Sequence, residues 1–213
     1  MTSTELHIFG TGGHARDLAE LAAACGYVPV LVAQSASEAE GCAADDRIVV
    51  EGEGLFREAL IAAIGIGDNA ARERTATKLA GKATFPNLVH PEATLGRGLR
   101  ERLERVVGTM IFAGVRTTGN VRIGSFCTVN LNASISHDGM LEDFVNLSPG
   151  AIIAGNVFVG RGAWIGAGAV VNQGTDDAPR VIGSGAMVGS GAVVIADCDA
   201  NSTYVGVPAR KIA

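Results

Sequence analysis

The sequence predicts a two-part chain of the α/β plus all-β class: a small Rossmann-like βαβαβ domain over residues 1–84, then a parallel β-helix with a C-terminal tail over residues 85–213. Three observations predict it. One branched apolar residue returns every sixth position, at Ile123, Val129, Ile135, Leu141, Leu147, Ile153, Val159, Ile165 and Val171. A second row, four residues further on, holds small or short side chains at Cys127, Ala133, Gly139, Val145, Ala151, Val157, Ala163 and Ala169. Near the N-terminus, a short apolar run breaks at a glycine turn and gives way to a helical pattern.

From the start of the chain, Leu6-His7-Ile8-Phe9 reads as a strand that stops at Gly10-Thr11-Gly12-Gly13-His14-Ala15. Leu18, Leu21, Ala22 and Cys25 then recur at helical spacing. Strand, glycine turn and helix is the order of a nucleotide-binding βα unit, in which backbone N–H groups at a helix N-terminus hold a phosphate. The glycines at 10, 12 and 13, with Ala15 following, fall short of GxGxxG. A second strand is expected at 28–33 and a third at 62–66. The third ends in Gly67-Asp68-Asn69, where Asp68 or Asn69 caps a helix over 70–79. A dinucleotide site usually carries an acid at the end of the second strand. Here that place is Ala33-Gln34-Ser35, so NAD is not expected, and either a mononucleotide-type ligand or a purely structural turn fits. His14, closing the turn, is placed to reach a phosphate, whereas His7 in its strand and His90 before Pro91 read as structural.

The proline at 91 keeps the joint extended. Arg100, Arg102 and Arg105 among Glu101 and Glu104 break the hexad rhythm, and the segment 99–107 reads as an irregular coil or bulging loop with a solvated face. In the regular part, a helix is excluded, because a period of six places successive members about 240° apart at 3.6 residues per turn. Hexapeptide periodicity instead marks a solenoid whose flat sides are short strands. The series stops at Asn172–Arg180, read as a loop thrown from a corner, and resumes at Ile182, Val188 and Val194. Composition agrees: 29 Gly against 5% aromatic residues suits a thin core with many tight corners.

Composition also bounds function. A net charge of −5 with no Lys/Arg run argues against a nucleic-acid partner. Cys25, Cys42, Cys127 and Cys198 show no CxxC spacing and read as thiols of a reducing compartment. With no apolar run of 18 residues and no signal-like N-terminus, the expectation is a cytoplasmic protein without a membrane partner. No cluster has metal spacing and no GxSxG elbow is present, which leaves metal and serine-hydrolase chemistry unsupported. One hexad is chemically odd. His137-Asp138 sits among small and apolar residues; it is either a solvated corner or a general base whose ring the acid orients, since histidine exchanges protons near neutral pH.

The glycine turn at 10–14, Gly65-Ile66-Gly67-Asp68-Asn69, the hexads with Ser136-His137-Asp138 and the closing Val205-Gly206-Val207-Pro208-Ala209-Arg210 together resemble the bacterial nucleotide-linked amino-sugar N-acetyltransferases of the left-handed β-helix class, a sialic acid O-acetyltransferase-like family. The resemblance covers nearly the whole chain. It implies a left-handed coil and a cytoplasmic homotrimer with active sites between subunits. Acetyl-coenzyme A would be the co-substrate, and a GDP-, dTDP- or UDP-linked 4-amino-4,6-dideoxy sugar the acceptor. It implies His137 as general base with Asp138 orienting it, and the Gly155 N–H as donor to the thioester oxygen. Gly10, Gly12, Gly13, His14, Asp68, Asn69 and Asn130 would hold the sugar nucleotide. Asn146, Gly155, Gly166, Ala167, Gly189, Ser190 and Arg210 would line the coenzyme groove. Asn146 stands where some relatives have a second histidine, and Ala33-Gln34 where some keep an acid that reads uracil. An O-acetyltransferase acting on a sialic-acid-type sugar and a non-catalytic solenoid are the other readings.

Overall fold

The computed structural model describes residues 4–42, 46–56 and 60–212. They form two compact units, Met1–Pro91 and Glu92–Ala213.

The first unit runs β1 (Glu5–Phe9), α1 (Gly13–Ala24), β2 (Val28–Ala33), α2 (Ala36–Glu40), β3 (Ile48–Val50), β4 (Leu60–Ile64), α3 (Asn69–Leu79), β5 (Ala83–Thr84) and β6 (Leu88–Val89). Strands β1 to β5 make one parallel sheet in the order β3-β2-β1-β4-β5. Strand β2 lies where the sequence places it. The expected third strand starts two residues earlier, as β4, because its buried run is Leu60, Ala62, Ala63 and Ile64. It stops before Gly65, where a Cβ would lie 2.6 Å from the Ala15 Cβ; the bare glycine lets α1 close on the sheet. Helix α1 buries Ala15, Leu18, Leu21 and Ala22. Phe85 packs on the core of Phe9, Val32, Leu60, Ala62 and Leu79, and Cys25 Sγ donates to the Val89 carbonyl at 3.4 Å.

The second unit is a three-sided parallel β-helix, left-handed as the resemblance implies. Each side is a ladder of two- or three-residue strands, and each strand pairs with the one a full coil later: Ile135 with Ile153, Leu141 with Val159, Leu147 with Ile165. Every member of the six-residue apolar row from Ile123 to Val171 is at most 5% exposed, and the second row is buried with it. The corners repeat as strictly. From Gly108 to Gly168 every sixth residue has a positive φ, and these positions are Gly, Asn, Asp or Phe. Gly, Asn and Asp tolerate this region, and Phe is a costly occupant. The two phenylalanines compensate by stacking: the Phe126 and Phe144 rings lie 5.1 Å apart at 10°, with the Arg161 guanidinium over Phe144.

Two segments differ in detail from expectation. Leu99–Leu103 is a short helix, α4, because Leu99 and Leu103 share one face and are buried. The Asn172–Arg180 stretch does leave the coil, yet it is anchored: the Gly174 N–H donates to Gly155 O, and Asn156 Nδ2 donates to Asp176 at 2.9 Å. The tail returns as an antiparallel pair, Thr203–Val205 with Arg210–Lys211, secured by Lys211 to Asp199. Among the described residues no helix is long and apolar enough to cross a membrane.

Candidate active site

The β-helix places His137 and Asp138 at a corner between the Ser134–Ile135 and Met140–Leu141 strands. Asp138 occupies the left-handed position of that corner, with φ 58°. Its carboxylate is divided: Oδ2 meets His137 Nδ1 at 2.9 Å, and Oδ1 accepts from Asn120 Nδ2 at 2.6 Å. These two hydrogen bonds, that of Asn120 first, hold the Asp138 carboxyl below the usual carboxylate range, so it stays ionised and acts only as acceptor. His137 Nδ1 must then carry the proton, which leaves the Nε2 lone pair free to act as a base.

The imidazole leans over the next coil at Gly155, eighteen residues on. A Cβ built on Gly155 would lie 2.4 Å from His137 Nε2, so the ring occupies space that only glycine leaves. At several left-handed corners the N–H of the preceding residue is met by a side chain. Those of Ser125, Leu131 and Arg161 are taken by the side chains of Asp143, Asn130 and Glu142. Among the described residues the Gly155 N–H has no such acceptor, so a donor and a base stand side by side.

The remaining expected residues of this unit fall in four places. Asn130 spends its Oδ1 on the Leu131 N–H. Asn146 is buried and donates to Ser148 Oγ at 3.0 Å. Gly166-Ala167 and Gly189-Ser190 are brought together on successive coils: a Cβ at Gly166 would sit 2.5 Å from Ser190 N, and the Gly191 N–H donates to Ala167 O. Arg210 is exposed in the tail.

The first unit carries its own crevice. Strand order reverses between β1 and β4, the place where open α/β sheets bind ligands beyond their strand ends. Gly10 takes φ 121° and comes close to Gly65, Gly12 is the N-cap of α1, and Gly13-His14 open that helix. Asp68 caps α3 through the Ala71 N–H at 2.7 Å, and Asn69 Oδ1 accepts from Arg72. Sequence reasoning missed Arg72, which is fully buried and holds the loop through the Ile66 and Gly67 carbonyls. It also missed Glu38, whose carboxylate takes the Thr11 hydroxyl and the Gln34 N–H, joining the glycine turn to the end of β2. The signal was present, since Ser35-Ala36-Ser37-Glu38 is a capping-box pattern and Ser35 Oγ accepts from the Glu38 N–H. An acid therefore stands beside the second strand after all, with both oxygens already engaged.

Burial, and secondarily the Arg72 charge, lowers His14 to about 4 from an ordinary 6.5. The unfolded chain thus binds a proton between those values that the folded unit refuses. Stability present above pH 6.5 is lost as the pH falls towards 4, by about 3 kcal/mol at about 1.4 kcal/mol per pH unit. The protection factors of the α1 amides, each exchange rate being set against the intrinsic rate at the same pH, are expected to fall accordingly between pH 7 and pH 4.5; unchanged protection factors would assign no such role to His14.

Two of the thiols are poor nucleophiles. Burial raises Cys25, and burial with Asp197 and Asp199 pushes Cys198 to about 11, so neither is a thiolate near neutral pH. Among the described residues no group of three or more His, Cys, Asp or Glu could hold a metal.

Comparison with known proteins agrees with both units. Residues 5–79 match the family model described as the PglD N-terminal domain. A GDP-perosamine N-acetyltransferase of Escherichia coli is 40% identical over 105 residues, which are 49% of this chain and 48% of that protein, so the match spans about half the length of the curated relative. Among solved structures, the acetyltransferase domain of PglB from Neisseria gonorrhoeae in complex with acetyl coenzyme A superposes with a TM-score of 0.85, at 27% identity, over 99% of this chain and 100% of that one. A histidine-to-asparagine variant of the perosamine N-acetyltransferase from Caulobacter crescentus, in complex with CoA and GDP-perosamine, gives 0.84 at 29% identity, over 98% and 97%.

Proposed function

We propose that this chain, whose residues 5–79 match the PglD N-terminal domain model and which is similar to nucleotide-sugar N-acetyltransferases, moves the acetyl group of acetyl-coenzyme A onto the 4-amino group of a GDP-linked 4-amino-4,6-dideoxy sugar. The observation that carries the reading is the His137 ring, oriented by Asp138 and lying against the bare Cα of Gly155. The amine nitrogen attacks the thioester carbonyl carbon while Nε2 of His137 takes its proton. The Gly155 N–H donates to the oxygen as it becomes an oxyanion, an interaction worth about 2.7–4 kcal/mol when placed for the transition state. Collapse breaks the carbon–sulfur bond, and the imidazolium returns its proton to the departing thiolate. The raised thiols of Cys25 and Cys198 fit direct transfer without an acetyl-enzyme.

The crevice between β1 and β4, with the turn at Gly10, Gly12, Gly13 and His14 and the capped loop at Asp68-Asn69, would bind the nucleotide diphosphate at helix N-termini. The small-residue steps at Gly166-Ala167 and Gly189-Ser190 would seat the coenzyme, with Arg210 towards its phosphates. Exposed Leu131, Ile152 and Met187 on the coils suit burial in a homotrimer. Four free cysteines support a reducing compartment, and with it a cytoplasmic reaction.

The test is a coenzyme-release assay with acetyl-coenzyme A and 4-amino-4,6-dideoxy sugars linked to GDP, dTDP or UDP. The GDP sugar is expected to give the highest kcat/KM. Turnover of free sialic acid, with none of any nucleotide-linked amine, would transfer the assignment to O-acetylation.

A further inference from the structure

One polar contact at the active corner reaches back to the preceding coil and beyond it to a cation. The corner column one coil before Asp138 is occupied by Asn120, which also lies in the left-handed region at φ 59°. Its side chain links two charges. Arg102 Nη2, from helix α4, donates to Asn120 Oδ1 at 3.3 Å, and Asn120 Nδ2 donates to Asp138 Oδ1 at 2.6 Å. A guanidinium only donates, so the Asn120 oxygen must face Arg102 and its NH₂ must face the carboxylate. Arg102 is fixed in turn by the Arg97 and Val121 carbonyls. The other corner neighbour, Asn156 on the following coil, points its amide to Asp176 instead, so Asn120 is the corner residue that reaches Asp138.

We propose that Asn120, steered by Arg102, is a positioning residue for the acetyl transfer: by holding Asp138 Oδ1 it turns Oδ2 onto His137 Nδ1 and fixes the tautomer that leaves Nε2 basic. The inference rests on the proposed role of His137. Without the amide, Asp138 keeps the same corner and its contact with His137, but its exposed carboxylate is no longer held from the other side. The charged groups around the pair are then Arg102 and, one coil on, Asp176.

Asn120→Gly is the variant of choice, since glycine suits the left-handed corner and removes only the side chain. In the full-length protein it is expected to lower kcat about tenfold, the size of one hydrogen bond to a charged group, with KM for acetyl-coenzyme A unchanged. The downfield Nδ1 proton of His137 in the ¹H NMR spectrum is expected to weaken in parallel, and that signal needs no substrate. Asp138→Asn alone lowers kcat, and adding Asn120→Gly to it changes kcat less than twofold further, because both act through one contact. An unchanged Nδ1 signal and kcat in Asn120→Gly, or effects that multiply in the double variant, overturns the proposal. An inactive wild type with an Asn120-dependent Nδ1 signal overturns the acetyl-transfer reading and keeps the positioning contact.

Discussion

Replacing His137 with asparagine is expected to lower kcat about 10²–10⁴-fold, the range that positioned proton transfer contributes. Asparagine retains bulk and a hydrogen bond at the corner but accepts no proton from an attacking amine. The side chain is exposed and lies outside both buried rows, so folding should be intact, as a melting curve would confirm. The affinity for acetyl-coenzyme A, measured by calorimetry, is expected to stay within a few-fold of the parent. A variant that keeps more than a tenth of the turnover would exclude His137 as the base and leave the scaffold without a catalytic group at this corner.

Gly155→Ala should cost about 10²-fold in kcat by a different route. The alanine is welcome to the backbone, since Gly155 is not among the positive-φ glycines, yet its Cβ would fall 2.4 Å from Nε2 and 2.5 Å from Cε1 of His137. The ring must swing away, either breaking its bond to Asp138 or moving Nε2 by about 1 Å, and displacement on that scale typically costs 100-fold. The fold and KM for the coenzyme should change little. If alanine were tolerated at full rate, the ring would not work from the position it holds over Gly155.

Periodicity carried most of the fold into the sequence. A six-residue row must face inwards for every coil to close, so each of its members could be named in advance, and Ile135, Leu147 and Ile165 are as buried as the pattern demands. His137 stood out because it is a titratable group beside an acid in a hexad of small and apolar residues. What stayed hidden depends on side chains reaching across coils or loops. The α4 helix is five residues long, with only Leu99 and Leu103 to mark its buried face. The short β3 strand has just three residues and no distinctive pattern. Arg72 lies in a helix whose other residues are largely polar, and nothing in spacing says that its guanidinium turns inwards. Asn120 looked like any corner asparagine, since its partner Asp138 is eighteen residues away and becomes a neighbour only through the coil register. Glu38 differs: its capping-box spacing was legible, but the tie to Thr11 needed the folded turn.

The left-handed corners bear on how such a site could arise. Asn120, Asp138 and Asn156 fill one column of positions that the backbone restricts to a few residue types, and Asn and Asp meet the restriction equally well. A single exchange of amide for acid at any corner of that column therefore leaves the coil undisturbed. The carboxylate that orients His137 is thus separated from an inert corner by one mutational step, and the scaffold can acquire, shift or lose its acid along the solenoid without passing through an unfolded ancestor.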